Sequence, residues 1–367
     1  MQASTRKRAA IYTLDMFQTA SAKTAHGLVR GPSRFEIVGL VDSKCVGRDA
    51  GDVLDGRARG IPTFADFDAL FAHVRPLPDF VVVGVATSGG VIPPALKLAL
   101  LAVVEHGVGI VSGLHEFVSD DPRLVAAARA HQVELIDVRK PKARSDLHFW
   151  SGDIRSVRAP RIPVLGTDCA LGKRTTCHFL SDACSKSGLK PALVATGQTG
   201  WLQGIRHGFV LDTTPNDFVS GELEHAVVQC DRDLAPDVIF IEGQSSLLNP
   251  SGPCGAELIL SAESSAVILQ HAPGRRFHDD QEYLENEIAP LAKQIALIEM
   301  YGARVLGIAL NDESTPAAER ENVRSRIERE SGLPTVWPLH EGCDRLVPPL
   351  RAHIASHTGH GAHRAAH

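Results

Sequence analysis

The sequence has no long apolar run and no excess of charge of one sign. None of its hydrophobic stretches approaches the roughly 18–20 residues that span a bilayer. The basic N-terminus is not followed by the apolar segment of a secretory signal. With 38 Lys and Arg against 43 Asp and Glu, the formal net charge is −5, which gives no electrostatic reason to bind nucleic acid. We therefore expect a protein that binds neither membranes nor nucleic acid.

The sequence also lacks a C-x-x-C pair among its seven cysteines, so the usual spacing of zinc sites and dithiol redox motifs is missing. Cys177 and Cys184 lie seven residues apart on a predicted helix and therefore share one face. We expect buried, reduced cysteines, no metal ion, and a cytoplasmic protein. We also expect a homo-oligomer.

The order of apolar and helical segments predicts two α/β domains. A chain of 367 residues is long for one hydrophobic core. In both halves short apolar strands alternate with helices, which requires crossover connections and predicts two doubly wound, mostly parallel sheets. Helices are predicted at Pro94–His106, Pro122–His131, Lys173–Ser187, Asp217–Cys230, Asp280–Met300 and Pro316–Glu330. The predicted domains are a Rossmann-like domain (1–140), a connection (141–160), a P-loop NTPase-like domain (161–352) and a His-rich flexible tail (353–367).

A glycine-bracketed loop, Gly166-Thr-Asp-Cys-Ala-Leu-Gly-Lys-Arg-Thr-Thr176, follows the predicted strand Ile162–Leu165. Strand, loop and helix in this order turn backbone N–H groups and a helix N-terminus toward one point, and Lys173 adds a full positive charge. The site therefore suits a phosphate. Five residues rather than four separate the glycines, and Arg174 stands where Ser or Thr normally binds Mg²⁺. The predicted cofactor-binding residues are Gly166, Thr167, Asp168, Cys169, Gly172, Lys173, Arg174, Thr175 and Thr176.

Two further strand ends are predicted to open beside this loop. The first, Thr196-Gly-Gln-Thr-Gly200, offers a hydroxyl and a neutral amide; its predicted substrate-binding residues are Gln198, Thr199 and Gly200. The second is Glu242-Gly-Gln-Ser-Ser246. An acid at this point of a P-loop protein coordinates a metal or polarises water. Glu242 is therefore a candidate base or an indirect metal partner.

Other residues predicted to face a ligand are less specific. Asp217, Gly221 and Glu224 are spaced to share one stripe of a helix, where a glycine between two acids leaves room for a ligand. A solvated helix face is the equal alternative. Arg275 follows another predicted strand end and can form a bidentate pair with a carboxylate or phosphate.

The first half has no G-x-G-x-x-G after its first strand, and Asp42 alone does not indicate a dinucleotide site. Ser88, Gly89 and Gly90 follow the predicted strand Phe80–Val85, at the edge of the sheet where ligands bind. Their N–H groups can bind a substrate carboxylate, although a plain tight turn explains these residues equally well.

Four motifs in order, GTDCALGKRTT, ATGQTG, DFVSGELE and IEGQSSL, resemble those of the DgcN-type D-glutamate N-acetyltransferases. The first half, which ends in DVRKP at Asp137–Pro141, is similar to their N-terminal domain. The resemblance implies transfer of an acetyl group from acetyl-CoA to the amine of a D-amino acid, in D-glutamate breakdown. The expected partners are therefore a small amino acid and coenzyme A.

This chemistry needs a base for the ammonium group and donors for the developing oxyanion. From their positions in the predicted fold, Glu242 and Asp217 are the candidate bases, with Glu224 behind them. Gln198, Thr199 and Gln244 are predicted to orient the substrate or to donate to the oxyanion, and Arg275 to bind a substrate carboxylate.

Two other functions stay open. The spelling GTD…GK also resembles the loop of dethiobiotin synthetase, which implies an ATP- and Mg²⁺-dependent ligase or kinase. Arg174, in place of that enzyme's threonine, weakens this alternative. The other alternative is a non-catalytic sensor of a nucleotide or metabolite, which would bind without turnover.

Overall fold

The computed structural model describes residues 6–364, with side chains for all of these except Ser88 and residues 358–364. The chain forms two compact units. Unit 1 comprises the described residues up to Lys142 together with Gln198–Ile205. Unit 2 comprises Ala143–Gly197 and the described residues from Arg206 onward.

Unit 1 is built on a parallel sheet of six strands in the order β3-β2-β1-β4-β5-β6. Its strands are β1 (Arg8–Tyr12), β2 (Glu36–Val41), β3 (Thr63–Phe64), β4 (Phe80–Val83), β5 (Gly109–Ser112) and β6 (Leu135–Asp137). Its first five helices are α1 (Lys23–Arg30), α2 (Ala50–Asp55), α3 (Phe67–His73), α4 (Pro94–Glu105) and α5 (Pro122–His131). The apolar runs of β4 and β5 are buried along their whole length, as expected for central strands of a parallel sheet.

Unit 2 is built on a parallel sheet of seven strands in the order β13-β12-β11-β7-β10-β8-β9. Its strands are β7 (Arg161–Gly166), β8 (Pro191–Ala195), β9 (His207–Gly208), β10 (Val238–Glu242), β11 (Ala266–His271), β12 (Arg304–Leu310) and β13 (Thr335–Val336). The remaining helices are α6 (Lys173–Lys186), α7 (Gln198–Leu202), α8 (Asn216–Leu234), α9 (Ala256–Leu260), α10 (Leu291–Met300), α11 (Arg320–Ser331), α12 (Pro338–Glu341) and α13 (Val347–Arg364). Of these, α7 belongs to unit 1. The predicted α/β class with two mostly parallel sheets is confirmed.

One predicted helix is much shorter than expected. The pattern predicted a helix over Asp280–Met300, whereas α10 begins only at Leu291. Asp280 and Glu285 have left-handed backbone conformations, with φ of 60° and 54°. Pro290 also disfavours a helical residue before it. These features prevent one continuous helix from running through residues 280–290, and α10 therefore begins at Leu291.

The predicted connection and tail are also structured. Much of the connection predicted at 141–160 packs within unit 2, where Ile154 is fully buried. The tail predicted from residue 353 is helical through Arg364, because α13 continues across it. Leu350 on this helix is fully buried in the core of unit 2, and His353 is 5% exposed. Residues 365–367 lie outside the described residues.

Among the helices of residues 6–364, none combines the length and the apolar character that crossing a bilayer requires.

Candidate functional site

The glycine-bracketed loop joins the end of β7 at Gly166 to the start of α6 at Lys173. Within it, Ala170 and Gly172 have left-handed conformations, with φ of 52° and 91°. Alternating left-handed residues turn successive backbone N–H groups inward, which makes an anion-binding concavity. A Cβ added at Gly166 would lie 2.9 Å from the Lys173 Cδ and 3.2 Å from the Asp168 oxygen, so glycine here leaves room for the Lys173 side chain to lie against the loop.

The ammonium group of Lys173 is folded onto the loop. Its Nζ donates to the backbone oxygen of Asp168 at 2.6 Å and to that of Ser245 at 2.9 Å. The residue is only 6% exposed, and this burial lowers the pKa of the ammonium below its ordinary value. Because both acceptors are neutral, a phosphate at the loop would supply the negative charge that the two carbonyls lack.

Asp168 fixes the loop to neighbouring segments of unit 2 through hydrogen bonds. Its fully buried carboxylate accepts hydrogen bonds from four donors: Asn249 Nδ2, His278 Nδ1, Arg275 NH1 and the Asp279 N–H. Burial by itself raises the pKa of Asp168, but the bonds from His278 and Arg275 outweigh it, so the pKa is lowered. Asp168 is thus a charged structural anchor, and a direct contact with a ligand would need one of these four bonds to break.

Arg275, predicted to bind a substrate carboxylate, contacts the loop and two carboxylates of the protein. Its NH1 group donates to Asp168 Oδ2 at 2.8 Å and to the Cys169 oxygen at 2.9 Å. The other side of the guanidinium pairs with Glu313, and the side chain is only 9% exposed. The carboxylate partners of Arg275 are therefore supplied by the protein. These contacts hold Arg275 at the loop, and its binding of a substrate carboxylate stays a prediction.

The hydroxyl groups of the loop are bonded within unit 2. Thr176 is buried and donates to Gln270 Oε1 at 2.6 Å. Thr167 shares a hydrogen bond of 3.0 Å with His271 Nδ1. Burial lowers the pKa of His271 to about 4, so the imidazole is neutral at physiological pH. Both threonines consequently fix the loop to β11.

Glu242 ends β10, the strand next to β7, and is brought to the same edge of the sheet as the loop. Its side chain is 7% exposed, and its Oε2 accepts from the Thr196 N–H at 3.1 Å. Arg174 NH1 lies 3.6 Å from Glu242 Oε1. Gln244 Nε2 donates to Thr196 Oγ1 at 2.9 Å. The structure thus brings Arg174 and Thr196 to Glu242, and Gln244 to Thr196.

Glu224, one of the predicted bases, lies on α8 and is hydrogen-bonded within unit 2. Its buried carboxylate accepts hydrogen bonds from four donors in one short segment: Ser151 N–H, Ser151 Oγ, Gly152 N–H and Ile154 N–H. Burial works against the charge of Glu224, but the bonds from Ser151 and Ile154 lower the net pKa. The carboxylate therefore holds the segment that leads into β7.

The rest of the same motif is structural as well. A Cβ on Gly221 would lie 2.0 Å from the backbone oxygen of His148, so the gap beside this glycine is filled by the chain and not by a ligand. Glu222, 2% exposed, accepts from the N–H and the Nδ1 of His148, at 3.0 and 2.8 Å. Asp217 is exposed in the first turn of α8, where an acid stabilises the helix start.

The predicted substrate residues Gln198, Thr199 and Gly200 lie on α7 and therefore in unit 1. Gln198 Oε1 accepts from Arg139 NH2 at 3.0 Å. Thr199 is 3% exposed, and its Oγ1 lies 3.3 Å from that of Thr24. Their role in binding substrate stays a prediction.

Ser88, Gly89 and Gly90 form a tight turn after β4, also in unit 1. The Gly90 oxygen accepts from the N–H of His115 and of Glu116. His115 Nε2 in turn lies 3.3 Å from Arg139 NH1. Gly90 and Gln198 therefore belong to one polar cluster centred on Arg139. Sequence reasoning missed Arg139 as a candidate, although it is the arginine of the DVRKP motif.

Comparison with known proteins matches both units to one family. The P-loop domain of DUF1611, described as a domain of unknown function, matches residues 148–347. The Rossmann-like N-terminal domain of the same family matches residues 43–141. A crystal structure of a DUF1611 family protein from Anabaena variabilis superposes with a TM-score of 0.84 at 28% identity, covering 94% of this chain and 99% of that one.

Two curated relatives carry an enzyme name. A D-glutamate N-acetyltransferase from Tritonibacter scottomollicae is 32% identical over 277 residues, which cover 74% of this chain and 80% of the relative. A D-glutamate N-acetyltransferase from a Pseudoalteromonas species is 29% identical over 280 residues, which cover 73% and 80%. These matches confirm the family resemblance predicted from the sequence motifs.

Proposed function

This chain belongs to the DUF1611 family, and we propose that it is an N-acetyltransferase that transfers the acetyl group of acetyl-CoA to the amine of D-glutamate. The proposal extends to a role in D-amino acid catabolism. The observation that carries it is the alignment of about three quarters of the chain with two relatives named for this activity. The geometry of the P-loop edge supports it in two respects, phosphate binding and proton acceptance.

The loop suits a phosphate group of coenzyme A. The loop combines the N-terminus of α6, the left-handed backbone at Ala170 and Gly172, and the Lys173 ammonium held against the Asp168 carbonyl. Coenzyme A carries a diphosphate and a 3′-phosphate, either of which matches this concavity, and its thioester supplies the activated acetyl group. In this proposal the loop holds the coenzyme by a phosphate, and the pantetheine arm bends back so that the acetyl group reacts beside Glu242.

Glu242 is the base that the geometry favours among the three predicted ones. Glu224 already accepts four hydrogen bonds from the segment 151–154, and Asp217 is exposed at the start of α8. Glu242 instead lies at the P-loop edge, where its carboxylate can accept the proton that the substrate ammonium must lose before it attacks. Gln244, beside it, has a second amide hydrogen that can stabilise a developing oxyanion.

A matched pair of Glu→Gln variants tests this assignment, because Glu242 and Glu224 are both buried, at 5% and 3% exposure. We expect Glu242→Gln to lower kcat for acetyl transfer by roughly 10²- to 10⁴-fold, the usual contribution of a general base. Its loss of stability should be smaller than that of Glu224→Gln, because the described residues donate one hydrogen bond to the side chain of Glu242 and four to that of Glu224. Glu224→Gln should keep its kcat but lose about 1.5–3 kcal/mol of stability, the scale of hydrogen bonds to a charged group.

Steady-state kinetics with acetyl-CoA and D-glutamate, combined with chemical denaturation, measures both effects. Wild-type kcat in Glu242→Gln would contradict the base assignment. A kcat that falls more in Glu224→Gln than in Glu242→Gln would contradict the division of roles between the two acids.

A further inference from the structure

Arg174 occupies the second position of α6, where a P-loop helix usually presents the hydroxyl that binds Mg²⁺. Its NH1 group lies 3.6 Å from Glu242, and its side chain is 20% exposed. Its Nε is buried and, among the described residues, has no hydrogen-bond partner. In the part of the chain that the structure describes, the Nε–H groups of Arg320 and Arg324 are likewise buried without a partner, but that of Arg174 lies beside the P-loop, where it can donate to an acceptor that the protein itself does not provide.

The residues present do not fit a Mg²⁺ ion at this point. Thr176 is buried and hydrogen-bonded to Gln270. Thr175 follows Arg174 on the helix and therefore projects about 100° away from it. A divalent cation beside Glu242 would also meet the positive guanidinium of Arg174 at close range. At the position where other P-loops have a hydroxyl oxygen that binds Mg²⁺, this chain therefore has a positively charged side chain.

We propose that Arg174 takes the place of the divalent metal. Its guanidinium would bridge a bound phosphate and Glu242, with the Nε–H donating to a phosphate oxygen and NH1 facing the carboxylate. Phosphate binding at this loop is then independent of metal ions. The identity of the phosphate ligand, coenzyme A, rests on the proposed acetyltransferase function. The role of Arg174 in binding a phosphate does not.

The charges at the loop also select a class of phosphate ligand. Lys173 and Arg174 supply two positive charges near the loop. The diphosphate of coenzyme A is esterified at both ends, so it carries one negative charge on each phosphate. The triphosphate of ATP carries about twice that charge and is ordinarily presented with Mg²⁺. Because the carboxylate of Glu242 offsets part of this positive charge, the loop favours a phosphate group without bound metal over the more highly charged, metal-bound triphosphate.

Calorimetric titration of the full-length protein with coenzyme A, in EDTA and in Mg²⁺, tests the inference. We expect the wild type to bind with the same dissociation constant in both buffers. Arg174→Thr should bind roughly 10- to 150-fold more weakly in EDTA, the effect of losing a charged hydrogen bond. Arg206→Thr is the matched control, because Arg206 also faces a carboxylate, Asp233, but is 73% exposed; it should bind like the wild type.

A wild-type affinity that requires Mg²⁺ would overturn the inference, and this arm does not depend on any variant folding. So would an Arg174→Thr protein that binds coenzyme A in EDTA as tightly as the wild type. ADP serves as a second probe. If ADP binds without metal while coenzyme A does not, the acetyltransferase proposal fails and the role of Arg174 stands. If neither probe binds in either buffer, the role of Arg174 is also refuted.

Discussion

At the scale of single residues, the sequence predicted which side chains carry charge at the P-loop edge but not which charges face each other. Lys173 and Glu242 could be placed because a strand, a loop and a helix fix their positions. Arg275 and Glu224 could not, since their partners Asp168 and Ser151 lie more than 70 residues away in sequence. A buried charge takes its role from its partners, and those contacts follow from the tertiary fold.

The neutral imidazole of His271 makes a pH-dependent contribution to stability. Its pKa is about 4 in the folded protein, against about 6.5 for an unfolded histidine. Between these values the unfolded state binds more protons, so stability is complete above about pH 6.5 and is lost as the pH falls toward 4. The loss should approach about 3 kcal/mol, at 1.36 kcal/mol for each pKa unit.

Replacing His271 by Asn should therefore flatten the dependence of the unfolding free energy on pH between about 6.5 and 4. Chemical denaturation at several pH values measures this slope. His131→Asn, at the exposed end of α5, is the control and should keep the wild-type slope. A slope that is as steep in His271→Asn as in the wild type would show that His271 is not the group responsible.

At the scale of elements, short apolar runs predicted central strands such as β4 and β7, which are buried along their whole length. Helix α5 was predicted at its observed bounds, since Asp121 caps it and Pro122 opens it. The helix predicted over Asp280–Met300 was too long, because no periodic pattern marks the turns before Pro290. The segment 143–160 also has no periodic pattern. Its conformation is fixed by hydrogen bonds to Glu222 and Glu224 on α8, which the local sequence does not show.

Gly221→Ala should detach this segment from α8. The new Cβ would lie 2.0 Å from the His148 oxygen and 2.4 Å from the Phe149 carbonyl carbon, so this backbone must shift, and the shift strains the hydrogen bonds of His148 to Glu222. We expect faster hydrogen exchange and proteolysis across residues 143–160, together with a lower denaturation midpoint.

Gly252→Ala is the control for this variant, because a Cβ there would meet no heavy atom within 4 Å and the backbone φ is not left-handed. Its exchange and midpoint should match the wild type. If Gly221→Ala left exchange across 143–160 unchanged, the glycine would not be the contact that the segment requires.

At the scale of the whole molecule, the sequence predicted two α/β units but not their exact division. Residues 198–205 belong to unit 1, although the residues on both sides of them belong to unit 2. Leu202 from this segment is fully buried in the core of unit 1. Sequence patterns predict contiguous domains. That these eight residues pack in unit 1 follows only from the tertiary contacts. The predicted substrate residues on α7 therefore belong to unit 1, whereas Glu242 belongs to unit 2.

Acetyl transfer by the full-length protein is tested most directly by mixing it with acetyl-CoA and D-glutamate in EDTA, without ATP. Free thiol is followed by absorbance, and the amino acid product is identified by mass spectrometry. We predict one thiol released for each N-acetylated glutamate formed, with the D-enantiomer preferred to the L-enantiomer. Absence of the acetylated product, or a reaction that proceeds only with ATP and Mg²⁺ and releases phosphate, would contradict the proposed function.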